Sequence, residues 1–262
     1  MKLALQKLYS FVRQLKIFLE RTIFDIIIGG CILFMLLTSL SMHFYPGGTY
    51  HNPKTSGYSF ELNVFSDLGY SIAHNGKPNQ ISKMLFSSGM AIAAISLLLF
   101  FTWTERLLAK TTISRPLLIA GRLSCFPTAI FLIGIGLAPA DLTPNIHAFF
   151  VTHAFIFLTF SNGILAFRLL LEKQFPKIYA FLYVTYVSLI ILFSAFLIMG
   201  PDINQYSGLT TPALGQKFII YTSILVVAIQ SWKLRGIYAS KQFHQKTYWL
   251  TGKKDTVIES VS

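Results

Sequence analysis

IFDIIIGGCILFMLLTSLSMHF, residues Ile23 to Phe44, carries one charged side chain, Asp25, in twenty-two positions. As a helix rising 1.5 Å per residue it reaches about 33 Å, enough to cross a hydrocarbon core of about 30 Å. Five further runs have the same character: Met84 to Trp103, Leu117 to Pro139, His147 to Leu171, Ile178 to Gly200, and about Leu214 to Trp232. A bilayer core offers the backbone no hydrogen-bond partner, so only helices or closed barrels span it, and these runs lack the alternation of barrel strands. The expected fold is all-α, an integral membrane bundle of six transmembrane helices. The composition agrees: of 262 residues 53% are hydrophobic and 12% charged, with a mean hydropathy of +0.58. Disorder and an ordinary soluble enzyme are excluded on that balance. The first run is too long for a cleavable signal peptide and no small-x-small site follows it, so it is expected to remain as a span.

Lysine and arginine set the orientation. Lys2, Lys7, Arg13, Lys16 and Arg21 precede the first span; Arg106, Lys110 and Arg115 follow the second; Arg168, at the end of the fourth span, is counted with Lys173 and Lys177 in the loop after it. The tail adds Lys233, Arg235, Lys241, Lys246, Lys253 and Lys254. Against these seventeen, the opposite side holds four, Lys54, Lys77, Lys83 and Lys217, with Arg122 inside the third span. Both termini are therefore expected in the cytoplasm, in a cytoplasmic (inner) membrane. The net charge of +12 is read as a membrane-surface signal, not one for nucleic acid. Leu5, Leu8, Val12, Leu15 and Leu19 recur at helical steps among the basic residues, which predicts a basic amphipathic helix on the inner leaflet over residues 1–22. Residues 23–238 form the membrane domain in this reading, and 239–262 a polar cytoplasmic tail.

The chemistry-bearing residues collect on the outer side. The first outer loop, Tyr45 to Lys83, is too long to be structureless. It opens with Tyr45-Pro46-Gly47-Gly48, a turn signal, because proline cannot donate and glycine accepts positive φ. From Ser59 to Ala73, Phe60, Val64, Leu68 and Ile72 fall at four-residue steps, while Asn63, Asp67, Ser71 and His74 fall on another face. This spacing predicts a short amphipathic helix at the outer surface. The second outer loop contributes Asp141 and His147, with His153 beyond, and the third contributes Asp202. Such a set suits a polar-ligand site, a proton site or a metal, since imidazole both titrates near neutrality and ligates metals. His147 and His153, six residues apart, do not share a helix face, so no metal and no cofactor is expected. Nearer the cytoplasm, Asp25 and Arg122 lie at comparable depth and are expected to form a structural ion pair.

Other motif readings fail. Lys110 to Arg115-Pro116 lacks the spacing and the downstream histidine of a lipid phosphatase. Ser87-Ser88-Gly89 lacks the preceding glycine and partnered histidine of an intramembrane serine protease. A two-haem cytochrome needs facing histidines at both ends, and only His244 is on the inner side. Cys31 and Cys125 sit inside spans as small apolar residues.

Tyr45-Pro46-Gly47-Gly48, Tyr58-Ser59-Phe60, Asn63 leading to Ser66-Asp67-Leu68-Gly69, Pro139 to His147, and Gly208 with Leu214-Gly215-Gln216-Lys217 together resemble the bacterial membrane-protein family known as domain of unknown function 998. Lys217 stands where that family's pattern has arginine. A more distant likeness, to the DRAM/Sfk six-helix proteins, rests on the Ser-Asp-x-Gly element with Asp141 and His147. The resemblance implies a six-span fold and an outer polar site, and it supplies no activity. The expected function is non-catalytic: binding or sensing a lipid headgroup or small polar ligand at the outer face through Asn63, Ser66, Asp67, Asp141 and His147, with membrane lipids as partners and no nucleic acid. A membrane lipid hydrolase, in which His147 or a bound metal activates water and Asp67 orients it, is the competing class. A transporter is the third, though neither inverted repeats nor broken helices are evident.

Overall fold

The computed structural model describes residues 2–108, 115–171, 177–199 and 206–251. Asp202 and the tail beyond Thr251 lie outside the described residues. The elements are α1 (Lys2–His43), a 3₁₀ helix (Phe65–Gly69), α2 (Gln80–Leu108), α3 (Arg115–Leu137), α4 (Pro144–Leu171), α5 (Lys177–Met199) and α6 (Tyr206–Thr251). Six segments are long and apolar enough to cross a membrane: Thr22–His43, Gln80–Thr104, Ile119–Leu137, Pro144–Leu171, Lys177–Ala195 and Thr210–Gly236. These coincide with the six apolar runs, and the protein is a multi-pass membrane protein. α1 runs unbroken from Lys2 through the first span, and α6 continues as helix to Thr251.

Each helix packs on its neighbour in sequence, and α6 returns to α1, so the six form a closed ring in chain order. α2 also touches α6 across the ring. Inside lies a cavity of about 90 Å³, lined by α1, α2, α3, α4, α6 and the 3₁₀ helix, with α5 outside its wall. Close approach of the helices depends on small groups and backbone-directed hydroxyls, the usual glue where lipid tails are as apolar as leucine. Ser87 on α2 donates to the Gly136 carbonyl of α3, Ser161 on α4 to Ser124 of α3 at 3.0 Å, and Ser41 on α1 to the Ser82 carbonyl of α2 at 2.8 Å.

Ring order decides the fate of the charged residues. Asp25 pairs with Arg235 of α6, Nε to Oδ1 at 3.1 Å, and not with Arg122 as its depth suggested. The reason is lateral: α1 packs between α2 and α6, whereas α3, which carries Arg122 on an exposed face, packs between α2 and α4. Depth along a span is readable from sequence, but azimuth around the bundle is not. Two cations assigned above to connecting loops are instead buried, Arg168 in α4 and Lys217 in α6.

Candidate functional site

The first loop folds into a cap over one end of the ring. α1 ends where Pro46 denies the helix a donor, and Gly47 and Gly48 turn the chain at φ of 123° and 85°. A side chain at Gly48 would also strike the backbone of His74, whose carbonyl carbon lies 2.6 Å from the position a Cβ would take. The turn is thereby pressed against residues 74 and 75. The Asn75 N–H donates to the Gly47 carbonyl at 3.1 Å and its side chain to the Pro46 carbonyl at 2.7 Å.

Asn63 is the hub of the cap, fully buried at 0% exposure. Its amide nitrogen donates to the Gly48 carbonyl at 3.0 Å and to Asp67 Oδ2 at 2.9 Å, and its Oδ1 accepts from the Ser59 N–H at 2.9 Å. Its backbone carbonyl accepts from the Tyr58 hydroxyl at 3.2 Å and from Lys217 Nζ. Every polar atom of that side chain is therefore used in holding turn, loop and 3₁₀ helix together. Lys217, 1% exposed, also donates to the Ala213 carbonyl at 3.0 Å. Its ammonium lies 5.3 Å from the Tyr58 ring and 5.0 Å from the Phe60 ring. A buried cation held by two carbonyls and two ring faces ties α6 to the cap.

The helical segment expected over Ser59 to Ala73 is realised as the five-residue 3₁₀ helix Phe65–Gly69, sunk into the bundle mouth where a surface position was expected. Phe65 packs edge-on against Phe86 and Tyr221, with ring centres 5.5 and 6.0 Å apart, and Leu68 is buried. Gly69 permits this depth, because a Cβ there would lie 2.8 Å from the Phe86 ring. The main chain is then fastened from the head of α2: Asn79, the residue before the helix, donates to the Leu68 and Tyr70 carbonyls at 3.2 and 3.0 Å, and Ser82 in its first turn to that of Leu68 at 3.2 Å.

Asp67 lies at the centre, 2% exposed. Its Oδ2 accepts from Asn63 and faces His74 Nε2 at 3.3 Å. Its Oδ1 is buried with no hydrogen-bond partner among the described residues. The His74 side chain is 16% exposed and forms the boundary between this carboxylate and the surroundings. The phenols of Tyr45, Tyr58 and Tyr70 surround the carboxylate. Burial first, and the negative charge of Asp67 second, hold all three well above the ordinary phenol range.

The remaining sequence-derived candidates separate. Asp141 is a clasp: its carboxylate accepts from the Ser71 N–H through both oxygens and from the Ile72 N–H, each at 3.0 Å. It joins the α3–α4 turn to the cap and leaves the Asp67 centre to others. His147 is buried at the start of α4 with Nδ1 2.7 Å from the Ala138 carbonyl. A carbonyl only accepts, so Nδ1 carries the proton and Nε2 is a lone pair, buried and unpartnered among the described residues. No hydrogen bond joins Asp67 and His147 among the described residues. Ser66 lines the cavity beneath the cap together with Gln216, whose Oε1 accepts from the Phe65 N–H at 3.1 Å. No group of three or more metal-ligating side chains occurs among the described residues.

His74 and Lys217 are the members of the cap network that the spacing argument undervalued. His74 follows Asp67 by seven residues and reaches it only because the chain turns at Ala73 to Gly76, where the Gly76 N–H bonds the Ala73 carbonyl at 2.8 Å. Lys217 had a visible signal: it stands three residues inside an apolar run, where an ionisable side chain is costly and commonly functional.

The chain belongs to the family described as "Protein of unknown function (DUF998)", which it matches over residues 42–230. That stretch contains the whole cap and α6 as far as Gln230. No curated protein and no solved structure matches the chain.

Proposed function

We propose that this protein binds a lipid headgroup or a small polar ligand at its outer face, and that Asp67 with His74 is the recognition pair. The observation that supports this reading most directly is the buried Asp67 Oδ1, which makes no hydrogen bond of ordinary geometry among the described residues, although the Tyr70 phenol lies close enough to interact with the carboxylate. Leaving such an oxygen unmatched costs about 1–3 kcal/mol or more, a penalty that a ligand donor would relieve. His74, whose side chain is 16% exposed, and the partly exposed Tyr70 beside it, with ring centres 5.1 Å apart, stand between Asp67 and the exterior. A ligand that displaces the ring and presents an N–H or O–H to Oδ1 gains a charge-assisted hydrogen bond in a desolvated site. Asn63 positions the carboxylate, Asp141 and Lys217 hold the cap on the bundle, and Ser66 faces inward.

A headgroup bearing hydrogen-bond donors is thus favoured over one without. Phosphatidylethanolamine offers an ammonium with three N–H donors, and phosphatidylcholine a quaternary nitrogen with none. Protein reconstituted in nanodiscs of the two lipids and then extracted is expected to retain phosphatidylethanolamine preferentially, as read by mass spectrometry. Asp67→Asn is expected to abolish the preference while helicity is unchanged. Equal retention of the two lipids by the unaltered protein sinks the headgroup reading.

The outer placement rests on the distribution of basic residues and is tested separately. Lys54→Cys, on the exposed part of the cap, is expected to react with an impermeant thiol reagent added outside the cell, and Lys177→Cys, at the start of α5, is not. Reversal of the two would move the site to the cytoplasmic face.

A lipid hydrolase is the second reading, favoured by one observation, the fixed tautomer of His147 with its basic Nε2 unengaged. It requires release of fatty acid or headgroup from radiolabelled lipid by the purified protein, lost in His147→Gln.

A further inference from the structure

We infer that His74 is a built-in stopper of the Asp67 site, its imidazolium standing where the ammonium group of a ligand would stand, so that a proton and a cationic ligand compete for one buried carboxylate. This rests on the Asp67 reading above and adds to it the class of ligand and its control by pH. The carboxylate is 2% exposed, and its Oδ2 faces His74 Nε2 at 3.3 Å. Imidazole is the side chain whose charge ordinarily changes between about pH 5 and pH 8. Protonated, the ring sets a cationic N–H beside a desolvated carboxylate, the same charge-assisted pairing that a ligand ammonium would make. Neutral, it offers only a dipole and is displaced at lower cost. Acid therefore closes the site to a cation, and neutral or mildly alkaline pH opens it.

The surroundings leave this exchange to the imidazole. His74 meets Tyr70, with ring centres 5.1 Å apart, and Tyr50 at 6.4 Å, which is itself edge-on to His51 at 5.2 Å. The Tyr45 hydroxyl accepts from the His74 backbone N–H at 3.3 Å. Burial first, and Asp67 second, hold the Tyr45 and Tyr70 phenols well above the ordinary phenol range, so both stay neutral while an imidazole titrates. Two further charges of the cap are engaged elsewhere, Asp141 with the Ser71 and Ile72 N–H groups and Lys217 with the Asn63 and Ala213 carbonyls. The backbone on either side of the ring is pinned: the Ala73 N–H donates to the Lys77 carbonyl at 2.9 Å and the Asn75 N–H to the Gly47 carbonyl at 3.1 Å. Opening is thus a rotation of one partly exposed side chain and leaves the loop in place. Ser66 and Gln216 line the apolar chamber on the inner side of the cap and take no part in it.

Two measurements on the full-length protein test the competition. In nanodiscs of mixed phosphatidylethanolamine and phosphatidylcholine the primary ammonium keeps its charge between about pH 5 and pH 8, as that of lysine does, so a changed preference reports the protein. The retained ratio of the first lipid to the second is expected to fall about tenfold from pH 8 to pH 5, one proton being exchanged for one ligand. In nanodiscs of phosphatidylcholine alone, methylammonium chloride, and not tetramethylammonium chloride, is expected to raise the melting temperature at pH 8 and to lose most of that effect at pH 5. His74→Gln, which fills the place without a charge, is expected to make each reading the same at both pH values, and His74→Asn serves should that variant fail to fold. Readings on the unaltered protein that do not change with pH overturn the stopper, as does an equal acid loss in a folded variant. Retention of phosphatidylethanolamine that is preferential but independent of pH upholds the headgroup reading and overturns the stopper. Stabilisation by methylammonium that acid abolishes only where His74 is present, with no lipid preference, does the reverse. Neither preference nor stabilisation at either pH overturns both.

Discussion

The cap and the chamber beneath it meet at Phe65 and Ser66, and they are held by different forces. In the cap, the Asn63 amide, the Tyr58 and Ser82 hydroxyls and the Lys217 ammonium point at backbone atoms, and Asp67 at the side chains of Asn63 and His74, so geometry is fixed largely by donor and acceptor direction. In the chamber, Phe86, Met90, Leu97 and their neighbours meet through apolar contact without direction, and volume is the controlling quantity. The difference teaches where specificity resides. A cap built from directed bonds resists any change of residue type, while a chamber wall tolerates one apolar residue for another of like size.

Replacing Asn63 is the harshest test of that contrast. Asn63→Leu leaves the Gly48 carbonyl, the Ser59 N–H and Asp67 Oδ2 short of partners in a buried site, and a loss of about 3 kcal/mol or more is expected. In a chain of this size that lowers the melting temperature in detergent by roughly 6–12 °C. A fall no larger than that of a chamber substitution would erase the distinction.

Alkaline pH attacks the cap next. The folded-state pKa values of Tyr45, Tyr58 and Tyr70 are raised by burial and by Asp67. The folded protein keeps phenolic protons that the unfolded chain releases above pH about 10, so it binds more protons than the unfolded state there. Stability is expected to be unaffected by these groups below pH about 10 and to fall as pH rises beyond it. Tyrosinate absorbance and thermal unfolding should report the two effects together, and replacing all three with phenylalanine should flatten the alkaline loss.

Asp141→Asn removes the charge from the clasp but keeps an acceptor, and a cost of about 1 kcal/mol is expected. Hydrogen exchange read by mass spectrometry should quicken around Ser71 and Ile72 while the middle of α4 stays protected. On the chamber side, Leu97→Met conserves volume and is expected to cost less than about 1.5 kcal/mol with lipid retention unchanged. Smallest of all is the pair Asp25 with Arg235, both partly exposed. A double-mutant cycle should give a coupling below about 1 kcal/mol, and none between Asp25 and Arg122.

Much of the site was legible before folding. The pairing of Asn63 with Asp67 survives in the structure as a hydrogen bond of 2.9 Å, although Asn63 precedes the 3₁₀ helix and extended Val64 separates the two, so the fold of the loop makes the contact and helical spacing does not. The glycine pair after Pro46 announced the turn. Asp141 was expected to bind ligand at the outer site, and the partners it has in the structure are the backbone N–H groups of Ser71 and Ile72, which no pattern of side chains can announce. His147 was grouped with Asp67 because both were expected on the outer side. Sharing a level of the membrane does not bring two residues to the same azimuth, and His147 bonds within its own turn to Ala138.

What the sequence determined by itself is the set of spans and the end of the bundle where the polar chemistry lies. Both follow from the bilayer, which demands about twenty apolar residues per crossing and penalises every unpaired polar group within it. What only the tertiary structure decided is lateral: Asp25 facing Arg235, Lys217 turned in beneath Asn63, Phe65 inserted against Phe86, and an apolar chamber lined by five helices. Those outcomes depend on how each helix is rotated and which neighbour it meets, and in a six-span chain that is set by packing among residues as far apart in sequence as Asp25 and Arg235, a separation over which local periodicity has no influence.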